Sequence, residues 1–151
     1  MGETAIMQLS AFSDYALRVL MYLAVAGDRQ VTVREVAERY RLSRDHVAKI
    51  AQFLAREGFV MTARGRSGGM RLARPPAEIS IGDVLRRSEA GSGPVECLCD
   101  GQVTCAIVSA CGLAPLMAEA SDAFFASLDA RSLADALPRA GAVRRLLGLA
   151  A

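Results

Sequence analysis

The stretch TVREVAERYRLSRDHVAKIAQFLAREG, residues 32–58, decides how the chain folds. Thr32-Val33-Arg34-Glu35 has the form of a capping box, in which the Thr32 hydroxyl bonds the third amide of a helix and Glu35 reaches back. Val33, Val36, Ala37 and Tyr40 follow at helical spacing. Arg41-Leu42-Ser43 interrupts the pattern. Ser43 is placed to cap a second helix, whose apolar stripe of Val47, Ile50, Ala51 and Leu54 runs up to Gly58. Two short helices joined by a tight turn predict a helix-turn-helix.

Upstream, helical periodicity begins around Ser13, with Ala16, Leu17, Leu20, Leu23 and Ala24 on one face until Gly27 and Asp28, which predicts a long buried helix. Downstream, the strand-like runs Phe59–Ala63 and Met70–Arg74 flank Arg64-Gly65-Arg66-Ser67-Gly68-Gly69, whose glycines permit the positive backbone angles of a hairpin tip. That hairpin is a wing, closed by Pro75-Pro76. Ser80 caps a further helix, Ile81–Glu89, with Ile81, Val84 and Leu85 inward. Gly91, Gly93, Pro94 and Gly101 make residues 90–104 an irregular loop. From about Ala114, a stripe of Leu116, Met117, Ala120, Phe124 and Leu128 is too apolar to stand alone in water and predicts a helix that packs on a partner chain.

The resulting architecture is mainly α. A winged helix-turn-helix domain with a short β-hairpin occupies residues 7–89, after a leader at 1–6. A cysteine loop follows at 90–112, then a long dimerisation helix region at 113–137 and a tail at 138–151.

A chain of 151 residues, 52% hydrophobic and 23% charged, is globular and too short for the large enzyme scaffolds. Its longest apolar run, Val19–Ala26, falls well short of the roughly 18 residues of a membrane span. No secretory signal opens the sequence, so a cytoplasmic location is expected, where 4 cysteines do not make a disulfide framework. Residues 1–76 carry 12 Lys and Arg against 7 Asp and Glu, whereas residues 77–151 carry 6 against 9. A basic first half and an acidic second half point to a nucleic-acid face followed by a regulatory or assembly region.

With the stripe of the second helix buried, Arg44, Asp45, His46, Lys49, Gln52 and Arg56 face outward, with Ser43 at the helix start. The second helix of such a unit lies in the major groove, where Arg and Lys donate to guanine or phosphate, Gln reads adenine and His donates or accepts. A solvated helix face is the bland alternative. The wing shifts the balance: Arg64, Arg66 and Arg71 crowd a hairpin whose Ser67, Gly68 and Gly69 leave the backbone bare enough to approach phosphate or the minor groove.

Cys99, Cys105 and Cys111 are separated by five residues each time, with Cys97 just ahead. Three equally spaced thiols in a glycine-containing loop can wrap a multinuclear centre, whereas zinc sites usually show close pairs with His partners. The sole histidine, His46, is already assigned to the helix face. Small buried hydrophobes, a metal-free thiol switch and zinc remain as alternatives.

The segments Met7 to Arg18, Ser43 to Ile50 and Arg64 to Leu72, together with the triple cysteine, resemble the iron–sulfur winged-helix repressors related to IscR and NsrR, over most of residues 7–137. Within that family the chain is most similar to the NsrR branch. The resemblance implies a homodimer with one cluster per protomer, 4Fe–4S rather than 2Fe–2S, held by Cys99, Cys105 and Cys111 without Cys97. It implies binding to operator DNA as an inverted repeat and release when nitric oxide attacks the irons of a repressor of nitric-oxide detoxification genes. IscR-like members carry a His three positions after the last cysteine, where this chain has Ala114. NsrR-like members use an aspartate near the start of the first helix, contributed across the dimer, and Asp14 in Ser13-Asp14-Tyr15 holds the matching place. An acid favoured by the helix dipole is the other reading of Asp14. No catalytic set competes, so no enzyme is expected. A sensor of iron–sulfur supply or redox state, or a cysteine-rich metal protein that does not touch DNA, are the alternative functions.

Overall fold

Three helices of the first half enclose one apolar core, and the wing closes its side. In the computed structural model, which describes residues 9–65 and 68–149, α1 spans Ala11–Ala26, α2 Val33–Tyr40 and α3 Arg44–Arg56. The wing is an antiparallel pair, β1 Val60–Ala63 and β2 Gly69–Leu72, with Val60 opposite Leu72 and Ala63 opposite Gly69. Then come α4, Ile81–Ser88, α5, Leu113–Asp129, and α6, Ala140–Leu146. Short 3₁₀ turns lie at Pro76–Glu78, Glu96–Leu98 and Val108–Ala110. No helix among the described residues is long and apolar enough to cross a membrane.

The periodicity of α1 is realised as burial. Ala16, Val19, Leu20, Tyr22 and Leu23 are sealed against Val36 and Ala37 of α2 and Val47, Ile50 and Leu54 of α3. Phe59, Met70, Ile79, Val84 and Leu133 complete the core. The wing is pinned to this body. The Val31 N–H donates to the Met70 carbonyl (2.9 Å) and the Met70 N–H to that of Val31 (2.8 Å). At Gly69 a Cβ would stand 2.8 Å from the Val31 carbonyl oxygen, so a larger residue would push the wing off its support.

Helix ends match the sequence reading in part. Thr32 accepts from the Glu35 N–H and Ser80 from the Asp83 N–H, as expected of N-caps. The capping box at Thr32 is nevertheless incomplete, because Glu35 turns away to Tyr22 and Arg29. Ser43 makes no side-chain cap bond, and α1 starts at Ala11 with Ser10 as its cap. The strands are shorter than the runs Phe59–Ala63 and Met70–Arg74. Phe59 is instead fully buried, with the guanidinium of Arg74 5.3 Å above its ring.

The residues expected to be a tail form α6, which packs on α1. Leu147 and Leu149 press on the core, and Arg144 donates to the Val25 carbonyl (2.7 Å) at the C-terminal end of α1. Conversely, α5 has no buried residue; Leu113 and Leu116 are 54% and 63% exposed. It leans on α4, where Gly82 lets the helices close, since a Cβ there would meet the Asp129 backbone nitrogen at 2.5 Å. Arg86 holds the same joint, donating to Asp129 (2.7 Å) and lying over the Phe125 ring.

Candidate functional site

Helix α3 presents the outward residues that its sequence assigns. Val47, Ile50, Ala51, Phe53 and Leu54 are buried, while Ser43, Arg44, Asp45, His46, Lys49, Gln52 and Arg56 are exposed. The turn that aims this helix passes through Arg41 in the left-handed region (φ 55°), the one non-glycine residue with positive φ among the described residues. Arg44 is tethered to α2 by Glu38 (3.4 Å), which Arg34 also approaches (3.8 Å). Arg64 is exposed beside Gly65 (φ 105°) at the wing tip. Arg66 and Ser67 lie outside the described residues. Gly68 and Gly69 also have a packing role, for a Cβ on either would strike backbone: the Ala63 carbonyl at Gly68 and that of Val31 at Gly69.

A partly exposed ion pair, anchored on the buried Tyr22, stiffens the base of this unit. Glu35 accepts from Arg29 through both oxygens (2.7 and 2.9 Å) and from the Tyr22 hydroxyl (2.7 Å). The Arg29 guanidinium holds the Glu35 carboxyl below the usual carboxylate range. Burial, reinforced by that carboxylate, pushes the Tyr22 hydroxyl up to about 12. The helix-turn-helix is therefore fixed to α1 by charge as well as by packing.

The cysteine loop is built from 3₁₀ turns and a few polar clips. Glu96 accepts from both the backbone N–H and the hydroxyl of Thr104, each at 2.7 Å, and the Asp100 N–H donates to the Gly91 carbonyl (2.9 Å). Cys97, Cys99, Cys105 and Cys111 are all free and half-buried. The Cys99 thiol donates towards the carbonyls of Gly93 (3.6 Å) and Val95 (3.5 Å). The sulfur of Cys111 accepts the Leu113 N–H (3.4 Å) beside the positive end of α5. Among the described residues no three His, Cys, Asp or Glu side chains converge into a metal-holding set. The donors thus suit an iron–sulfur group in chemistry, three soft sulfurs on a weakly braced loop, without forming a preassembled cage.

Asp14 stands in the first turn of α1, where Arg18 engages both its oxygens (3.0 and 2.8 Å). It is 44% exposed, and within one chain it is not gathered with the cysteines. Close by is a joint that sequence reasoning missed. Ser13, fully buried, shares a 2.7 Å hydrogen bond with Ser88 of α4, and the Ser10 N–H donates to Glu89 (2.8 Å). Burial raises the Glu89 carboxyl, yet hydrogen bonds from Ser13 and Ser10 outweigh it and hold the group low. The start of the helix bearing Asp14 is thereby tied to the residues from which the cysteine loop departs. A serine on the buried face of an otherwise apolar helix was its sequence signal.

Comparison with known proteins agrees with this architecture. Residues 9–139 match the family described as "Rrf2: Iron-dependent Transcriptional regulator". The chain is 39% identical to the HTH-type transcriptional regulator NsrR of Geobacillus kaustophilus, over 93% of this chain and 97% of that one. Among solved structures, T. potens IscR superposes with a TM-score of 0.70 at 24% identity, covering 95% of this chain and 94% of that one. CymR, the global cysteine regulator of B. subtilis, gives 0.65 at 25% identity, covering 85% and 95%. With the winged unit, the long exposed helix and a family match over nearly the whole chain, the protein belongs to the Rrf2 family of transcriptional regulators.

Proposed function

We propose that the protein is a homodimeric DNA-binding repressor that holds an iron–sulfur cluster, releases its operator when nitric oxide reaches the cluster, and performs no catalysis. The observation that carries this reading is the pairing, in one small chain, of an exposed cationic α3 with a loop of three free, evenly spaced thiols. The similarity to NsrR proteins supports the choice of signal. The protein would act in the cytoplasm on an inverted repeat whose half-sites lie about one helical turn, or a multiple, apart.

In this reading Ser43, Arg44, His46 and Lys49 meet base edges and nearby phosphates, and the wing residues Arg64, Arg66, Ser67, Gly68 and Gly69 meet the backbone or minor groove. Cys99, Cys105 and Cys111 supply thiolates, and Asp14 of the partner protomer supplies a hard, labile carboxylate. A bound 4Fe–4S cluster would contribute irons open to a diatomic ligand, the least firmly held at the carboxylate. As a ligand Asp14 would give up its pairing with Arg18, leaving that cation on the same face of α1. The Ser10–Ser13–Ser88–Glu89 joint keeps the start of α1 in fixed relation to the loop. Because α1 packs directly on α3, displacing that start changes how the two DNA-reading heads are placed.

Iron and sulfide content of single Cys→Ala variants, purified without oxygen, tests the ligand set. Cys99→Ala, Cys105→Ala and Cys111→Ala should lose the cluster and Cys97→Ala should keep it. Full retention in Cys105→Ala would overturn the assignment.

A further inference from the structure

Between the first turns of α1 and the flank of α3 lies an open hollow of about 130 Å³, lined by Ala11, Phe12, Tyr15, His46, Lys49 and Ile50. Its walls are firm. The Phe12 ring meets the ring of Phe53 edge-on at 5.2 Å, and the Arg18 guanidinium lies 5.7 Å from the centre of the Tyr15 ring. Four of the six lining residues are apolar or aromatic, while the polar ones, His46 and Lys49, belong to the outward set of α3. The hollow therefore joins an apolar floor to one exposed cation, Lys49. Two copies of this surface would set the exposed Lys49 against its own counterpart, which argues against a second copy of the chain as occupant. Duplex DNA, by contrast, meets Lys49 with phosphate and carries one apolar group on its major-groove edges, the thymine C5-methyl.

We propose that this hollow receives a thymine methyl of the bound duplex, so that the start of α1 reads sequence by shape beside the hydrogen-bonding residues of α3. The inference rests on the DNA-binding reading above and adds to it a determinant that α3 alone does not contain. His46 and Lys49 line it from α3, which places the methyl on the side of α3 turned towards α1. Burial of one methyl is worth roughly fourfold in affinity, so a symmetric dimer with two such contacts gains on the order of tenfold.

The test uses the full-length protein purified without oxygen. A bound duplex is selected from a randomised library, and each of its thymines is then replaced by uracil, which removes the methyl and nothing else. One thymine per half-site should be sensitive, losing about fourfold in affinity for each replacement. The variant Ala11→Leu fills the hollow from an exposed position with a strong helix former and so leaves the helix start intact. It should abolish that sensitivity while the effects of changes at other base pairs persist. The proposal is overturned if no thymine is distinguished from uracil or if Ala11→Leu keeps the full uracil effect. It also falls if Ala11→Leu alters only the dimer dissociation constant, since a second copy then covers the hollow. Failure to enrich any duplex would instead refute the DNA-binding reading itself, and this inference with it.

Discussion

Replacing Leu116 with alanine addresses what covers α5. The side chain is 63% exposed in the single chain, on a helix with no buried residue, and its stripe is continued by Met117, Ala120 and Phe124. Leu116→Ala removes three carbons, each worth about 0.8 kcal/mol when fully covered. Scaled by the 63% left exposed, the loss is about 1.5 kcal/mol per copy. Two copies lose about 3 kcal/mol, or roughly 150-fold in the dimer Kd. Sedimentation equilibrium over a dilution series reads this constant directly. Circular dichroism should show the variant folded, because Leu116 takes no part in the core of the winged unit. A Kd within threefold of the parent would refute the assignment of this helix face to a partner chain.

Three further outcomes follow from the geometry. Tyr22→Phe deletes a hydroxyl that donates to Glu35; in the parent, stability tied to that group is fully present below pH 10 and declines as pH rises towards 12, because only the unfolded tyrosine ionises readily there. Denaturant midpoints followed from pH 9 to 12 should show the decline in the parent and its reduction in Tyr22→Phe. Arg41→Gly relaxes the left-handed turn before α3 and should raise stability by about 0.5–1 kcal/mol in urea unfolding, whereas a loss would show that the Arg41 side chain matters more than its backbone. Arg64→Ala, if it removes a phosphate contact, should weaken all duplexes alike and lower the salt slope by about one, while Lys49→Ala at a base should cost roughly 1–3 kcal/mol at one position. Equal losses on every sequence for both variants would mean that Lys49 reads no base.

What was legible in the sequence was what depends on local order. The apolar period of α1 and α3 and the caps at Thr32 and Ser80 act within a few residues, and each is realised; of the wing glycines only Gly65 takes the expected positive φ, while Gly68 and Gly69 are needed for close backbone approach. Glu35 shows where that stops. Its spacing from Thr32 spells a capping box, but Arg29 and the buried Tyr22 hydroxyl offer a stronger, charge-assisted set of partners that only the packing of α1 on α2 brings near. α6 escaped notice because seven residues with Gly141 inside carry almost no periodic signal, and docking on α1 stabilises it. The cysteine spacing suggested a candidate site without giving its geometry, since the loop carries little regular structure to hold the sulfurs in place.

In the proposed repressor cluster chemistry governs DNA binding, and one titration measures that coupling directly. Operator affinity is measured by fluorescence anisotropy on cluster-loaded protein without oxygen, before and after nitric oxide is added to the same sample, with the iron chromophore recorded in parallel. To turn a mostly bound population into a mostly free one, the affinity should fall by about 10²- to 10⁴-fold as the chromophore changes. Operator binding that stays the same, or tightens, while the chromophore is destroyed would contradict the account.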